Sequence, residues 1–598
     1  MTDAKVRDPN SPAGQPHDEL GLSRPALAVL GARYLRRDAE GRLIESTGEM
    51  LDRVATHVAA AEDTYQPGSA DRWAEAFSRM MRACDFLPNS PTLMNAGSPL
   101  GVLAGCFVLP VNDSLRSIFT TLRTAALIHQ AGAGTGFSFS AVRPQGDRVE
   151  SSGGTASGPL SFIHVFDAAA SVIREGGRRH AANMAVLDVS HPDIESFVVA
   201  KSRPGTLATF NLSVGVTDTF LRAARQRRPH QLVNPRTGRV AGTVAAHELF
   251  ASIVEHAWRS GEPGLLFLDR VNDADPLPSQ GRIVATNPCG EVPLRAYESC
   301  NLGSIDLARF VRDSDDGVDL RRLDDTVRLA VRFLDDVIDV SSYPDPALHF
   351  AAHRSRRIGL GIMGLADLLA CLGIPYNTQA ATRTAARITA RIQRVAHEAS
   401  AALAEERGPF PLHPESRHAL GGGPPLRNAQ LTSIAPTGTI SLIAGTTAGI
   451  EPLFAVAYAR RVLGKVVIEV QRSFERIARA RGFLDDTLLA EIAATGTVRG
   501  HPAVPPDVRS AFVTALEVAP RWHVRMQAAV QRHVDAAVPK TVNLPTEATP
   551  ADVEAIYLEA WRAGCKGITV YRYGTRPEQV LQRVPTDVQS LPNGWSGS

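Results

Sequence analysis

ATNPCGEVPLRAYESCNLGSID, residues 285–306, is the stretch from which the rest of the chain is read. Asn287, Cys289 and Glu291 alternate here with Pro288 and Gly290, two residues that a helix interior does not tolerate. The spacing therefore predicts an extended backbone. In an extended chain, side chains at i, i+2 and i+4 share a face, so an amide, a thiol and a carboxylate are expected to address one small volume. An amide holds a hydroxyl, a carboxylate accepts its proton, and a thiol supplies a nucleophile or, once oxidised, a sulfur radical. The same pattern also fits a strand carrying two polar residues beside a buried cysteine.

The chain around this segment has 598 residues, 44% hydrophobic and 21% charged, with 64 Lys+Arg against 62 Asp+Glu. That balance marks neither a nucleic-acid binder nor a membrane-surface protein, and the polar opening residues carry no secretory signal, so the cytoplasm is the expected location. Ile358–Tyr376 and Leu442–Ala459 are the most apolar stretches, but Asp367, Glu451 and several Gly and Pro make them core segments. Six cysteines without a CxxC pair offer no disulfide scaffold and no structural zinc motif, and no metal site is expected.

Apolar spacing predicts helices within 23–83, over Leu160–Glu175 with Gly176-Gly177 as the stop, over Thr378–Arg407, and from Pro550 behind the N-cap Thr549. A strand is expected at Ile568–Tyr573, and the tail after about Arg576 is polar and aperiodic. The alternation indicates an α/β fold, divided into a disordered tail (1–20), a helical region (21–85), a catalytic unit (86–576) and a flexible tail (577–598). Gly359-Leu-Gly-Ile-Met-Gly364 matches the dinucleotide pattern GxGxxG, but the basic stretch His353–Arg357 precedes it where a strand is required. Its glycines are read as permitting close packing between strand and helix.

With FLPNSPTLMNAG (86–97), GCFVLPVNDSL (105–115), GAGTGFSFS (132–140), GGRRHAANMAVLD (176–188), NPCGE (287–291), ESCNLGSIDL (298–307), IAPTGTISLIAG (434–445) and GIEPLFAVAYAR (449–460) in this order, the chain resembles the ribonucleotide reductases from about residue 20 to about 576. The resemblance implies a ten-stranded α/β barrel of two parallel five-stranded halves set antiparallel, a finger loop inside, and an N-terminal helical region outside. It implies a thiyl radical on Cys289, a base at Glu291, a ribose-hydroxyl contact at Asn287, and Cys106 with Cys300 as the pair that gives two electrons and closes into a disulfide. Pro436, Thr437, Gly438, Thr439, Ile440 and Ser441 would hold substrate phosphates, with Ser90 and Thr92 lining the same site. Asp113, Ser114 and Leu115 would hold the deoxyribose of an effector dNTP, and Arg178, Arg179 and Asn183 would belong to the specificity loop. His180-Ala181 and the segment 535–540, DAAVPK, depart from the family pattern.

No adjacent tyrosine pair is present, since Tyr571 and Tyr573 are separated, and no RxxGY glycyl-radical motif occurs. The resemblance is therefore to the class II type, whose cofactor is adenosylcobalamin, acting on ribonucleotides with diphosphates favoured. A homodimer is compatible with it, and no N-terminal ATP-cone is expected. No cysteine follows Cys565, so an external dithiol or a second chain carrying redox cysteines is expected to re-reduce the pair. A reductase-like enzyme of modified nucleoside synthesis and a non-catalytic nucleotide-binding paralogue are the alternatives. Loss of Cys106, Cys289, Glu291 or Cys300 would favour the paralogue, and all four are present.

Overall fold

The computed structural model describes residues 16–150, 152–175, 179–312, 317–462, 465–575 and 581–582. Its N-terminal layer is helical: α1 (Arg24–Arg33), α2 (Thr47–Ala59) and α3 (Ala70–Arg82). Ser46 caps α2 by accepting from the Glu49 N–H, while the Glu49 carboxylate accepts from the Ser46 N–H. Met50, Leu51, Val54 and Val58 are fully buried, each contributing on the order of 1.5–3 kcal/mol. The expected tail 1–20 is tied down by residue 18, because the Asp18 carboxylate accepts from the N–H groups of Leu20 and Leu22 and from the Thr47 hydroxyl. Residues 1–15 lie outside the described residues.

Ten strands make one sheet. They are β1 (Phe86–Pro88), β2 (Cys106–Pro110), β3 (Gly134–Ser138), β4 (Asn183–Asp188), β5 (Phe210–Val216), β6 (Gly264–Phe267) and, after the finger hairpin β7 (Ala285–Thr286) and β8 (Pro293–Leu294), β9 (Ser299–Asp306), β10 (Ile358–Met363), β11 (Thr541–Leu544) and β12 (Gly567–Arg572). Strands β2 to β6 run parallel in sequence order. On one flank β9 pairs antiparallel to β2 and parallel to β10. On the other, β12 pairs antiparallel to β6 and parallel to β11. Residues 431–434 bridge the remaining gap: Ser433 donates its N–H to the Leu360 carbonyl on one side, and the Thr432 carbonyl accepts from Ala536 on the other. The result is the two-halved α/β barrel, with the finger hairpin inside it.

Two glycines of GAGTGFSFS explain how the finger fits. A Cβ on Gly136 would stand 1.8 Å from the Thr286 carbonyl oxygen, and one on Gly134 would stand 2.7 Å from the Pro288 ring. Both glycines belong to β3, two residues apart and on one face, so the strand presents bare backbone to the hairpin.

The GxGxxG segment is itself the buried strand β10. A Cβ on Gly359 would meet Leu302 at 2.2 Å, and one on Gly361 the Ser433 carbonyl at 2.4 Å. These glycines therefore allow strand-to-strand approach, which corrects the expected strand–helix packing. Helix α4 (Leu115–Gln130) follows β2, and α5 (Pro159–Val172) stops short of the expected Glu175 because Arg174-Glu175 pair as a strand with Arg179-His180. Gly176-Gly177 fall outside the described residues. The long helix α6 (Gln379–Arg407) starts at its N-cap Thr378, and Thr549 caps the last long helix Pro550–Arg562. Leu581-Gln582 form a short strand beside Ala459-Arg460, a pairing not expected from the aperiodic tail.

Candidate active site

Pairing across β2 and β9 places Cys106 directly opposite Cys300. Opposed antiparallel residues have Cα atoms about 4.5–5.5 Å apart, inside the roughly 4.4–6.8 Å range that a disulfide bridges. Both are free thiols and both are buried. They form a small apolar layer with Val108, Ala285, Val292, Leu294 and Leu302, in which the finger hairpin packs on the two strands.

Asn287 and Glu291 enter this layer from the hairpin. The Asn287 Nδ2 donates to the Cys106 Sγ at 3.0 Å, and its Oδ1 accepts from the Val292 N–H at 3.0 Å. The Cys106 thiol lies 3.9 Å from Glu291 Oε1. Glu291 Oε2 is buried with no hydrogen-bond partner among the described residues. Burial pushes the Glu291 carboxyl up to about 7, against weaker lowering by its hydrogen bonds. Burial first, then Glu291, Cys300 and Cys289, push the Cys106 thiol up, and burial also raises Cys300. Both cysteines are therefore held as neutral thiols, suited to giving up hydrogen and poor as thiolate nucleophiles.

The expected extended run through Asn287, Cys289 and Glu291 is not what forms. Gly290 takes φ +86° and donates its N–H to the Asn287 carbonyl at 3.1 Å, so Pro288-Cys289 is a turn. Glycine accepts that left-handed backbone without strain. The turn rotates Cys289 out: it is exposed and lines a cavity of about 850 Å³, while Asn287 and Glu291 remain buried below it. One thiol thus faces open space and two lie in a dry layer beneath.

Pro436, Gly438, Thr439 and Ser441 line the same cavity, with Tyr571 and Asn543 from the opposite wall. Thr437 has φ +52°, and its hydroxyl accepts from the Gly449 N–H at 2.8 Å, which pins the loop. Ile440 is buried at the start of the short helix Ile440–Ala444. Among the described residues, the N–H groups of Gly438 and Thr439 find no acceptor within the chain, and the space where a Gly438 Cβ would stand is open. Oriented N–H groups of this kind suit an anion.

Ser90 and Thr92 are not on the cavity wall. Asn89 caps the helix Ser90–Asn95 and accepts from both the N–H and the hydroxyl of Thr92, while Ser90 shares a hydrogen bond with the Tyr34 hydroxyl. Capping and packing have engaged both hydroxyls locally. Asp113 is paired with Arg143 at 2.8 Å, Ser114 is the N-cap of α4, and Leu115 is an exposed first residue of that helix. Arg178 lies outside the described residues, and Arg179 is in the strand pairing with Glu175. Asn183, expected in a loop, opens β4, where its side chain joins Thr135 and Thr209 in a buried network.

Several supporting residues escape sequence reasoning. Ser433 and Ala537 both donate to the Glu291 carbonyl at 2.9 Å, and Asn211 donates to the Pro288 carbonyl at 2.9 Å. Lys540 and Glu451 form an ion pair on the cavity wall. None of these contacts leaves a sequence signal; the glycine alternation of β3, which marks the surface on which the finger lies, does.

The raised Glu291 carboxyl yields a first prediction. A base must be deprotonated to act, and this carboxyl is mostly protonated below about 7. If Glu291 is the base, kcat/KM should rise about tenfold per pH unit below that value and level off above it, and Glu291→Gln should lose about 10²–10⁴-fold and the slope with it. A pH profile of the variant that keeps the wild-type slope would assign the titration to another group.

Comparison with known proteins agrees with this geometry. Residues 20–101 match the family described as ribonucleotide reductase, all-alpha domain, and residues 104–424 and 421–571 match ribonucleotide reductase, barrel domain. The chain is 62% identical over 565 residues to a vitamin B12-dependent ribonucleoside-diphosphate reductase of Mycobacterium tuberculosis (strain CDC 1551 / Oshkosh), covering 94% of this chain and 81% of that one. It is 42% identical over 621 residues to a protein of the same name from Thermoplasma acidophilum, covering 94% and 80%. The solved α subunit of the class Id ribonucleotide reductase of Actinobacillus ureae shares the fold, with a TM-score of 0.76 at 22% identity over 92% of this chain and 97% of that one. The opposed thiols, the finger inside a two-halved barrel and these matches together place the chain in the ribonucleotide reductase large-chain family.

Proposed function

We propose that this protein reduces ribonucleotides, diphosphates by the likeness of its named relatives, to 2′-deoxyribonucleotides, using an adenosylcobalamin-initiated thiyl radical. The observation that carries the reading is the layering of one exposed thiol, Cys289, over a buried carboxyl and two opposed buried thiols.

The fit of the cofactor rests on Cys289, whose exposed position at an open cavity gives a bulky group access. Bound beside Cys289, adenosylcobalamin would supply the radical chemistry that converts the Cys289 thiol to a thiyl. Cys289, as thiyl, then takes the 3′ hydrogen of the ribose. Glu291 accepts the 3′-hydroxyl proton through Oε2, and the second N–H of the Asn287 amide is the donor for a ribose hydroxyl. The 2′ oxygen leaves as water. Cys106 and Cys300 together give two electrons and two protons, one hydrogen ending on C2′ and one in the water, and close into a disulfide. Cys289, a thiol while it holds the 3′ hydrogen, returns that hydrogen to C3′ and is again the thiyl, and Glu291 returns its proton to the 3′ oxygen.

The loop 436–441 is the proposed phosphate cradle, through the N–H groups of Gly438 and Thr439 and the Ser441 hydroxyl. Asp113, Ser114 and Leu115 are the proposed effector site, where Arg143 would share the Asp113 carboxylate with a deoxyribose hydroxyl. The segment 176–184, including Arg178, Arg179 and Asn183, is the proposed specificity loop. An external dithiol, or a second chain carrying redox cysteines, is the proposed reductant of the disulfide that Cys106 and Cys300 form. The cytoplasm, a reducing compartment, suits six free cysteines. No helix among the described residues is long and apolar enough to cross a membrane.

Purified protein should turn over ribonucleoside diphosphates with adenosylcobalamin and dithiothreitol alone. Product formation that appears only when a diiron or dimanganese subunit is added would overturn the assignment of the radical source.

A further inference from the structure

A second cavity, of about 760 Å³, lies on the far side of the finger hairpin from Cys289, with Ala285 and Leu294 of the hairpin in its wall. It opens at the C-terminal ends of β2, β3 and β4. In parallel α/β sheets that is the end where ligands are received, because the connecting loops there diverge and leave a crevice. The catalytic cavity uses the opposite end of these strands, so the second cavity is unassigned.

Its floor is ionic. Arg295 is paired with Asp275, and Glu298 accepts from Arg357 at 3.0 Å and from the Arg295 N–H at 2.9 Å. Arg295 is only 9% exposed; its Nη1 stands 3.8 Å from Glu298 Oε1, within ion-pair range, and makes no hydrogen bond among the described residues. A buried guanidinium N–H without an acceptor is unfavourable and suits an incoming anionic oxygen. The acids on the wall are already engaged: Glu298 as above, and Asp188 by the Ser190 N–H at 2.8 Å.

The upper wall is aromatic and cationic. Phe350 is 61% exposed, with the Arg354 guanidinium 5.1 Å from its ring centroid. Tyr297 is held at φ +66°, a strained conformation for a tyrosine, and lines the same space. An exposed phenyl ring, a tyrosine and arginines at two depths form a stacking platform beside an anion site.

We propose that this cavity binds a nucleoside phosphate, with the base on Phe350 and Tyr297 and the phosphate between Arg354 and Arg295 Nη1. The volume lies within the roughly 300–1,000 Å³ of ordinary small-molecule sites. The proposal is independent of the catalytic reading, since neither Phe350 nor Arg354 touches the catalytic cavity.

The test is photolabelling of the full-length protein with 8-azido-AMP, followed by peptide mapping. Label should appear on the peptides containing Tyr297 or Phe350, and AMP should compete for it while adenosine or orthophosphate alone should not. Phe350→Ala and Arg354→Ala should each weaken AMP competition roughly tenfold. Phe350→Ala should also keep reductase turnover, which shows that the variant is folded. Label confined to other peptides, labelling unchanged in both variants, or competition by orthophosphate as strong as by AMP would overturn the proposal.

Discussion

Cys289→Ala is expected to abolish turnover, by a factor on the order of 10⁴ or more, since removing a residue through which the whole reaction passes leaves only residual catalysis. The side chain is exposed on a turn fixed by Gly290 and by the Asn211 contact to Pro288, so its truncation leaves the buried layer intact. Nucleotide binding, read by equilibrium dialysis, should therefore persist. Cys300→Ala should separate from it. That variant keeps the exposed thiol and the cavity, so radical initiation and substrate binding should survive, while deoxynucleotide does not form because the electron pair is missing. The measurements are product yield, and hydrogen exchange between cofactor and solvent as the readout of initiation. Wild-type turnover by either variant would remove that cysteine from the mechanism, and exchange abolished equally in both would show that their roles are not distinct.

Gly136→Ala is the second large effect expected, from a residue with no chemistry of its own. The added Cβ would meet the Thr286 carbonyl oxygen at 1.8 Å and the Thr286 carbonyl carbon at 2.7 Å. Backbone cannot swing aside as a flexible side chain does, so strand or finger must shift by an ångström or more. Such overpacking costs about 1–3 kcal/mol, which a barrel of this size tolerates. Activity should respond more strongly, because Asn287, Cys289 and Glu291 all hang from the displaced hairpin, and an error of about 1 Å in a reacting group costs about 10²-fold. The expected result is a folded protein by circular dichroism with kcat/KM down at least about 10²-fold. Near-wild-type kinetics would mean that the finger does not lie against β3 in the working enzyme.

The motifs that carry the family resemblance, the N-terminal helical region and the helices over Thr378–Arg407 and from Pro550 are legible along the chain. Thr549 is legible as a cap because capping is a local event between a side chain and an amide two or three residues away, while Thr378, read as the first helical residue, is in fact the cap. The motifs around Cys106, Cys289 and Cys300 were legible because their order along the chain is itself the signal. The tertiary structure decided what those residues do to one another. That Cys106 faces Cys300 is a matter of β2–β9 register, set by packing between segments about 190 residues apart. That Cys289 is exposed while Glu291 is buried goes with the left-handed turn at Gly290, whereas alternation alone implies one shared extended face. What Ser90 and Thr92 do is not legible in sequence, because a hydroxyl reads the same whether it faces a ligand or a helix cap; in this structure Asn89 and Tyr34 engage them. The raised Glu291 carboxyl is likewise invisible along the chain, since burial is produced by β2, β9 and the 431–434 segment closing around it, and only the folded barrel removes the water that would keep it an ordinary acid.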